Sequence, residues 1–168
     1  FRRQPVSIGP EALRCEGLTR APAFKDVSFD VHEGEIVGLT GLVGSGRSAL
    51  VRCIYGIDRP DRGTVYVNGK AVSIHSPGDA VALSMGLLPE RRQDQALLLE
   101  MSARENIMLA QSRDYGMLID VEAETSLVDK YARRLRIKLP TPEIKTKYLS
   151  GGTQQKIILS RWLAAHSR

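Results

Sequence analysis

Gly41-Leu-Val-Gly-Ser-Gly-Arg-Ser48 is the stretch whose residue types and spacing point most directly to chemistry. Glycines at 41, 44 and 46 permit positive φ and close backbone approach, so successive N–H groups can turn inward on phosphate oxygens. The spacing matches the phosphate-binding pattern G-x-x-x-x-G-K-[ST] at every demanded position except one, where Arg47 stands in place of lysine. A helix expected to open at about Arg47 adds its positive N-terminal end. Ser48 offers a hydroxyl to Mg²⁺ beside the β- and γ-phosphates of a nucleotide. Taken alone, a glycine-rich turn also fits an ordinary strand-to-helix connection.

A second stretch changes the weight of the first. Leu149-Ser-Gly-Gly-Thr-Gln-Gln-Lys156 runs straight into Ile157, Ile158, Leu159, Trp162 and Leu163. Ser150 caps, two glycines free the backbone, and a helix follows, which makes a second helix N-terminus suited to an anion. Ser48 and Leu149 are separated by 101 residues.

The elements that must position these turns follow from apolar spacing. Residues 12–18 and 27–32 read as strands, the second with Val27, Phe29 and Val31 inward and Ser28, Asp30 and His32 outward, which makes His32 a surface residue. Glu35–Thr40 reads as a buried strand feeding the first glycine turn, and 86–89 as another core strand ending on Glu90. Thr64–Val67 is a strand closed by the turn dipeptide Asn68-Gly69. Ser76-Pro77 opens a helix through Met85, with His75 as a flanking surface group. Ser102-Ala-Arg-Glu105 is a capping box starting a helix through about Ala110. Val121–Ile137 carries Leu127, Val128, Tyr131 and Leu135 at helical spacing among charges, an amphipathic surface helix. Pro140 and Pro142 end this helical region.

Composition narrows the class. At 42% hydrophobic and 26% charged residues, the chain of 168 has the balance of a globular domain. Its apolar runs fall far short of the roughly 18 residues a membrane helix needs, so membrane association has to come through a partner. The net charge of +5 is spread over arginines such as Arg91, Arg92, Arg133, Arg134 and Arg136. These are not striped among stacking aromatics, which speaks against a nucleic-acid partner. Cys15 and Cys53 lack C-x-x-C spacing and read as small buried thiols in a reducing compartment. The start at Phe1, with no apolar leader core in residues 1–10, leads to the expectation of a piece of a longer chain.

The two motifs, in this order and separation, resemble an ABC-type ATPase nucleotide-binding domain, in which Leu149-Ser-Gly-Gly is the signature sequence. Gly41 to Ser48, then Leu88-Pro-Glu-Arg-Arg92, Met101-Ser-Ala-Arg-Glu-Asn106 and Leu149 to Lys156, resemble the second, C-terminal nucleotide-binding half of bacterial simple-sugar importers of the ribose, galactose and xylose kind. The resemblance covers the chain from residue 11 onward. It implies an α/β fold with a P-loop core, an N-terminal antiparallel β layer and a helical subdomain. The expected organisation is a linker over 1–10, the P-loop core with its β subdomain over 11–89, the helical subdomain over 90–148, and the signature with its helix over 149–168.

The resemblance also implies roles. Gly41, Leu42, Val43, Gly44, Ser45, Gly46, Arg47 and Ser48 would bind ATP, with Ser48 on Mg²⁺. Leu149, Ser150, Gly151, Gly152 and Gln155 would act in trans on a nucleotide held by a second nucleotide-binding domain, head to tail. Glu90 stands where the family usually has the glutamine that links Mg²⁺ and attacking water to the transport subunit. The segment from about Arg91 to Gly116 would face transmembrane permease subunits, with a sugar-binding protein as an indirect partner and the cytoplasmic face of the inner membrane as the location.

Three departures qualify that picture. No aromatic residue lies between Cys15 and Ala23 to stack on adenine, and Thr153 replaces a glutamine. The chain also stops at Arg168, before the apolar strand ending in Asp-Glu and before the later histidine of the family. The piece is therefore expected to bind Mg-ATP weakly, to hydrolyse none by itself, and to be marginally stable with an open sheet edge. Two other readings stay open: a non-catalytic nucleotide-binding module, and an ABC protein acting on nucleic acid or the ribosome. Chromosome-maintenance relatives are excluded by the short gap between the motifs, and a small-molecule P-loop kinase has no need of Leu-Ser-Gly-Gly.

Overall fold

The computed structural model describes residues 7–111 and 120–165. The expected linker, the segment facing the permease and the end of the signature helix therefore lie partly outside the described residues. The chain divides into two compact units, Phe1–Leu83 and Ser84–Arg168.

The first unit is built on four antiparallel strands in the order β2-β1-β3-β4. These are β1 (Glu11–Arg20), β2 (Phe24–His32), β3 (Arg62–Val67) and β4 (Lys70–Val72). The strands predicted at 12–18, 27–32 and 64–67 lie inside β1, β2 and β3, and β2 alternates half-buried and exposed residues from Val27 to Val31 as its pattern requires. Asn68 and Gly69 turn β3 into β4 with positive φ at both positions, the backbone that this dipeptide favours. His32 is half-buried rather than fully outward, its Nδ1 lying 3.2 Å from Asp30 Oδ2 and 3.5 Å from Glu35 Oε2. Helix α1 (Arg47–Ile54) and helix α2 (Pro77–Ala82) complete the unit. Ser76 caps α2 by accepting from the Asp79 N–H. Helix α2 stops at Ala82 instead of Met85, because the backbone turns to φ 62° at Ser84. Cys15 and Cys53 are both buried and unbridged, and burial pushes the Cys15 thiol up to about 11.

One set of charges ties this unit together and is not evident from spacing. Asp58 accepts from Arg20 Nη1 at 2.6 Å and from Arg52 Nε at 2.7 Å, joining β1, α1 and the loop that follows α1. The Arg52 guanidinium holds the Asp58 carboxyl below the usual carboxylate range.

The two expected core strands are not formed. Residues 35–40 and 86–89 carry no ladder hydrogen bonds, and the unit's only sheet among the described residues is the antiparallel one. The reason is physical: an apolar run becomes a parallel core strand only between neighbouring strands and under covering helices. Residues 35–40 have neither, and Ile36 is 97% exposed.

The second unit is helical: α3 (Arg92–Gln95), α4 (Ala103–Met108), α5 (Val121–Arg134) and α6 (Gly151–Ala164), with a short 3-10 turn at Thr146–Tyr148. The capping box is present in both directions, Ser102 accepting from the Glu105 N–H and Glu105 accepting from the Ser102 N–H. Helix α5 ends at Arg134, short of Ile137, and puts Val128 and Tyr131 into the core as its spacing predicts. They pack there with Leu97, Ala103, Ile107, Met108, Ile157, Ile158 and Ala164. Arg104 pairs with buried Glu124 of α5 and, at 2.6 Å, with Glu143, fastening α4 to α5 and to the chain after it.

Candidate functional site

Each glycine turn sits at a helix N-terminus, one in each unit. In the first, α1 begins at Arg47 with Gly46 as its N-cap, in the left-handed region at φ 84° and with no side-chain capping bond. Gly46 cannot be replaced cheaply. A Cβ there would run into the Ala23 carbonyl, whose carbon lies 2.9 Å away, so the turn between β1 and β2 presses directly on the start of α1. At Gly41 a Cβ would come within 2.5 Å of Ser45 Oγ and 3.9 Å of Arg47 Cδ. It would fill the hollow of the turn. The loop is otherwise held by backbone bonds, Ser45 N–H to the Leu42 carbonyl at 3.1 Å and Leu50 N–H to the Gly46 carbonyl at 2.8 Å.

Gly41, Leu42, Val43, Gly44, Ser45, Arg47 and Ser48 are exposed, and the first turn of α1 has no acidic residue. An exposed glycine turn at the positive end of a helix whose first turn carries no acidic residue fits a polyphosphate. Arg47 and Ser48 are the first two residues of α1, where a cation and a hydroxyl can meet phosphate and metal.

The second turn is built differently. Ser150 caps α6 by accepting from the Thr153 N–H at 3.3 Å, and Leu149 packs partly against the helical core. Gly152 has open space where a Cβ would stand. Gln155, expected in the signature site, is exposed, while its neighbour Gln154 is buried. Gln154 donates to the Thr146 carbonyl at 3.0 Å and accepts from Gln93 Nε2 at 3.2 Å. Thr146 Oγ1 in turn donates to the Leu98 carbonyl at 3.1 Å. Asn106, fully buried, donates to the Leu98 and Ser102 carbonyls at 2.9 and 3.0 Å, and accepts from the Leu98 N–H at 3.0 Å. Arg161 Nε closes the network on the Asn106 carbonyl at 2.7 Å.

This network places Gln93, Gln154, Thr146, Asn106 and Arg161 behind the signature turn. Sequence reasoning missed all five as site supports. The available signal was polar residues, Gln154 and Arg161, on the apolar-facing positions of an otherwise core-forming helix.

Glu90 is exposed on the bend that leads into α3, two residues before Arg92 and three before Gln93. The run before it is pinned in the second unit: Trp162 Nε1 donates to the Leu87 carbonyl at 2.9 Å, and the indole lies where a Cβ on Gly86 would be. The segment that ends on Glu90 is thus attached to the same helix that the signature turn begins. Among the described residues, no cluster of His, Cys, Asp or Glu could hold a metal ion, and no helix is long and apolar enough to cross a membrane.

A polyphosphate-type glycine turn opening a helix, and a Ser-Gly-Gly turn opening another, define an ATP-binding cassette. The chain belongs to the ABC transporter family, whose sequence model matches residues 24–168. It is 41% identical over 162 residues to the ribose import ATP-binding protein RbsA of Lacticaseibacillus paracasei, covering 95% of this chain and 32% of that protein. A putative ribose/galactose/methyl galactoside import ATP-binding protein of Agrobacterium fabrum is 44% identical over 167 residues, covering 98% of this chain and 34% of that protein. The chain spans about a third of the length of these curated relatives. Among solved structures, it is similar to an ATP-binding cassette of an ABC transporter in its ADP conformation, with TM-score 0.72 and 26% identity over 94% of this chain and 66% of that one. A nucleotide-free cassette gives TM-score 0.74 at 26% identity, with the same coverage of both chains.

Proposed function

We propose that the chain is the nucleotide-binding part of an ABC importer for a simple sugar, where ATP binding and hydrolysis drive uptake through permease subunits. The observation that carries this reading is the 40–44% identity, over nearly the whole chain, to proteins named for ribose or galactose import. Both glycine turns at helix N-termini support it. The chain corresponds to the second, C-terminal nucleotide-binding half of such proteins, with the core over 11–89, the helical subdomain over 90–148 and the signature helix from 149.

ATP supplies the phosphoanhydride and Mg²⁺ the counter-charge. The residues of this chain bind and orient. Gly41 to Gly46 present backbone N–H groups to the phosphates, Arg47 adds positive charge, and Ser48 offers its hydroxyl to the metal. Ser150, Gly151 and Gly152 face the γ-phosphate of a nucleotide held by a second nucleotide-binding domain, and Gln155 lies beside them. Glu90 links this chemistry to the permease. The chain works at the cytoplasmic face of the inner membrane as a peripheral subunit, and a separate sugar-binding protein delivers the sugar. No nucleic acid takes part.

The test is ATP turnover by the full-length protein assembled with its permease. Addition of the cognate binding protein loaded with ribose or galactose is expected to stimulate turnover, and empty binding protein to do so far less. Turnover indifferent to the loaded protein overturns the reading. Turnover stimulated instead by ribosomes or nucleic acid favours the other branch of the family.

A further inference from the structure

Helix α3 brings a cation to the signature turn. The Arg92 Nη2 lies against Gly151, in the space that a Cβ there would take, and its Cζ is 3.4 Å from that position. The Arg92 Nε is fully buried and has no hydrogen-bond partner, and among the described residues no carboxylate pairs with this side chain. The next residue, Gln93, donates to buried Gln154, so the start of α3 is fastened to the first turn of α6.

That placement is electrostatically one-sided. The first turn of the fourteen-residue α6 has no acidic residue, and Ser150 Oγ already serves the Thr153 N–H. The N–H groups of Gly151 and Gly152, at the first two helical positions, have no intrahelical acceptor. An unneutralised guanidinium therefore stands at the positive end of a helix dipole, where cations are disfavoured and anions stabilised. The arrangement lacks one component, and it is negative.

We propose that Arg92 completes an anion site at the start of α6, its guanidinium and the Gly151 and Gly152 N–H groups together receiving a phosphate. This rests on the reading of Ser150 to Gly152 as the turn that meets the γ-phosphate of a nucleotide on the second domain. The glycines supply neutral donors, and Arg92 supplies the charge. Its planar fork offers paired donors to phosphate oxygens. A side chain at 151 would have to move the Nη2 end of this flexible arginine away from the turn.

The test uses the full-length protein and hydrogen–deuterium exchange over peptides covering 41–50 and 149–156, with and without Mg²⁺ and the non-hydrolysable analogue AMP-PNP. Wild type is expected to gain protection in both peptides. Arg92→Gln should keep the protection over 41–50 and lose about tenfold of it over 149–156, while Arg92→Lys, which retains the charge, should keep most of both. Arg92→Gln protected like wild type over 149–156 overturns the inference and leaves the functional reading standing. Equal loss in the Lys and Gln variants, with faster exchange already in the absence of nucleotide, means that Arg92 only props the turn, and also overturns it. Wild type protected over 41–50 but not over 149–156 removes the signature reading itself, and this inference with it.

Discussion

At the start of α1 the turn is made by backbone: Gly46 is the cap, no side chain bonds to it, and the residues around it are exposed. At the start of α6 the turn is made by side chains. Ser150 caps it, and Gln154, Thr146, Asn106 and Arg161 stand behind it in a buried hydrogen-bonded chain. Both ends suit an anion, yet one takes its shape from what its glycines permit and the other from what its neighbours enforce. On the proposed function, that difference would suit a loop that wraps around its own ligand and a surface presented, already shaped, to a ligand bound elsewhere.

The largest effect that could break this comparison is on turnover. Ser150→Arg is expected to lower ATP turnover of the assembled full-length protein by about 10²–10³-fold, because it puts a bulky cation where N–H donors must approach phosphate. Arg47→Ala should cost about tenfold or less, since the backbone cradle remains. If Arg47→Ala proves the more damaging, the enforced turn is not the one on which catalysis depends.

Next in size are effects on the fold. Asn106→Ala removes a buried amide and strands its partners on Leu98, Ser102 and Arg161, so denaturant unfolding should show a loss of about 3 kcal/mol. A loss under about 1 kcal/mol would mean that the signature turn is not held from behind. Gly46→Ala should cost about 1–3 kcal/mol through its positive φ and the Ala23 carbonyl, together with weaker nucleotide binding by calorimetry.

Gly152→Ala separates the two roles of a glycine. There is open space at that position and the residue is helical, so stability should be unchanged or rise by about 0.5–1 kcal/mol, while turnover should fall if that space receives the phosphate as proposed. Unchanged turnover would assign that space to solvent.

The smallest effect is a pH dependence. Hydrogen bonding from the Ser102 N–H holds the Glu105 carboxyl below its ordinary 4.5. A carboxylate depressed in the folded state stabilises above its unfolded value, and that contribution disappears as pH falls through the folded one. Glu105→Gln should therefore be less stable than wild type by about 0.5–1 kcal/mol near pH 7, a gap that narrows as the pH falls below 4.5 and through the depressed folded value. A gap that persists at pH 3 would show that the charge contributes nothing.

Local signals carried much of this structure. Ser76-Pro77, Ser102 with Glu105, Asn68-Gly69 and Ser150 each sit where their capping or turn chemistry requires, because those rules act over three or four residues. Both glycine turns open helices at the expected residues for the same reason. What spacing could not show was long-range. The runs at 35–40 and 86–89 read as strands from their composition, but a strand is defined by its neighbour, and neither run has one here. Gln93 meeting Gln154, Arg92 meeting Gly151, and Asp58 between two arginines join residues 6 to 61 positions apart, and no pattern along the chain encodes such pairings.

The chain holds a single tryptophan, and its position makes it an optical reporter. Trp162 sits on the signature helix with its indole on Gly86 and its N–H on the Leu87 carbonyl, against the segment that leads to Glu90. Its emission has no competing indole in this chain to confuse it. Any sliding of that segment along α6 breaks the bond to Leu87 and lets water reach the ring, which shifts the emission to the red. Stopped-flow fluorescence on the native residue can thus time the movement of the stretch before Glu90 without attaching a dye to either side.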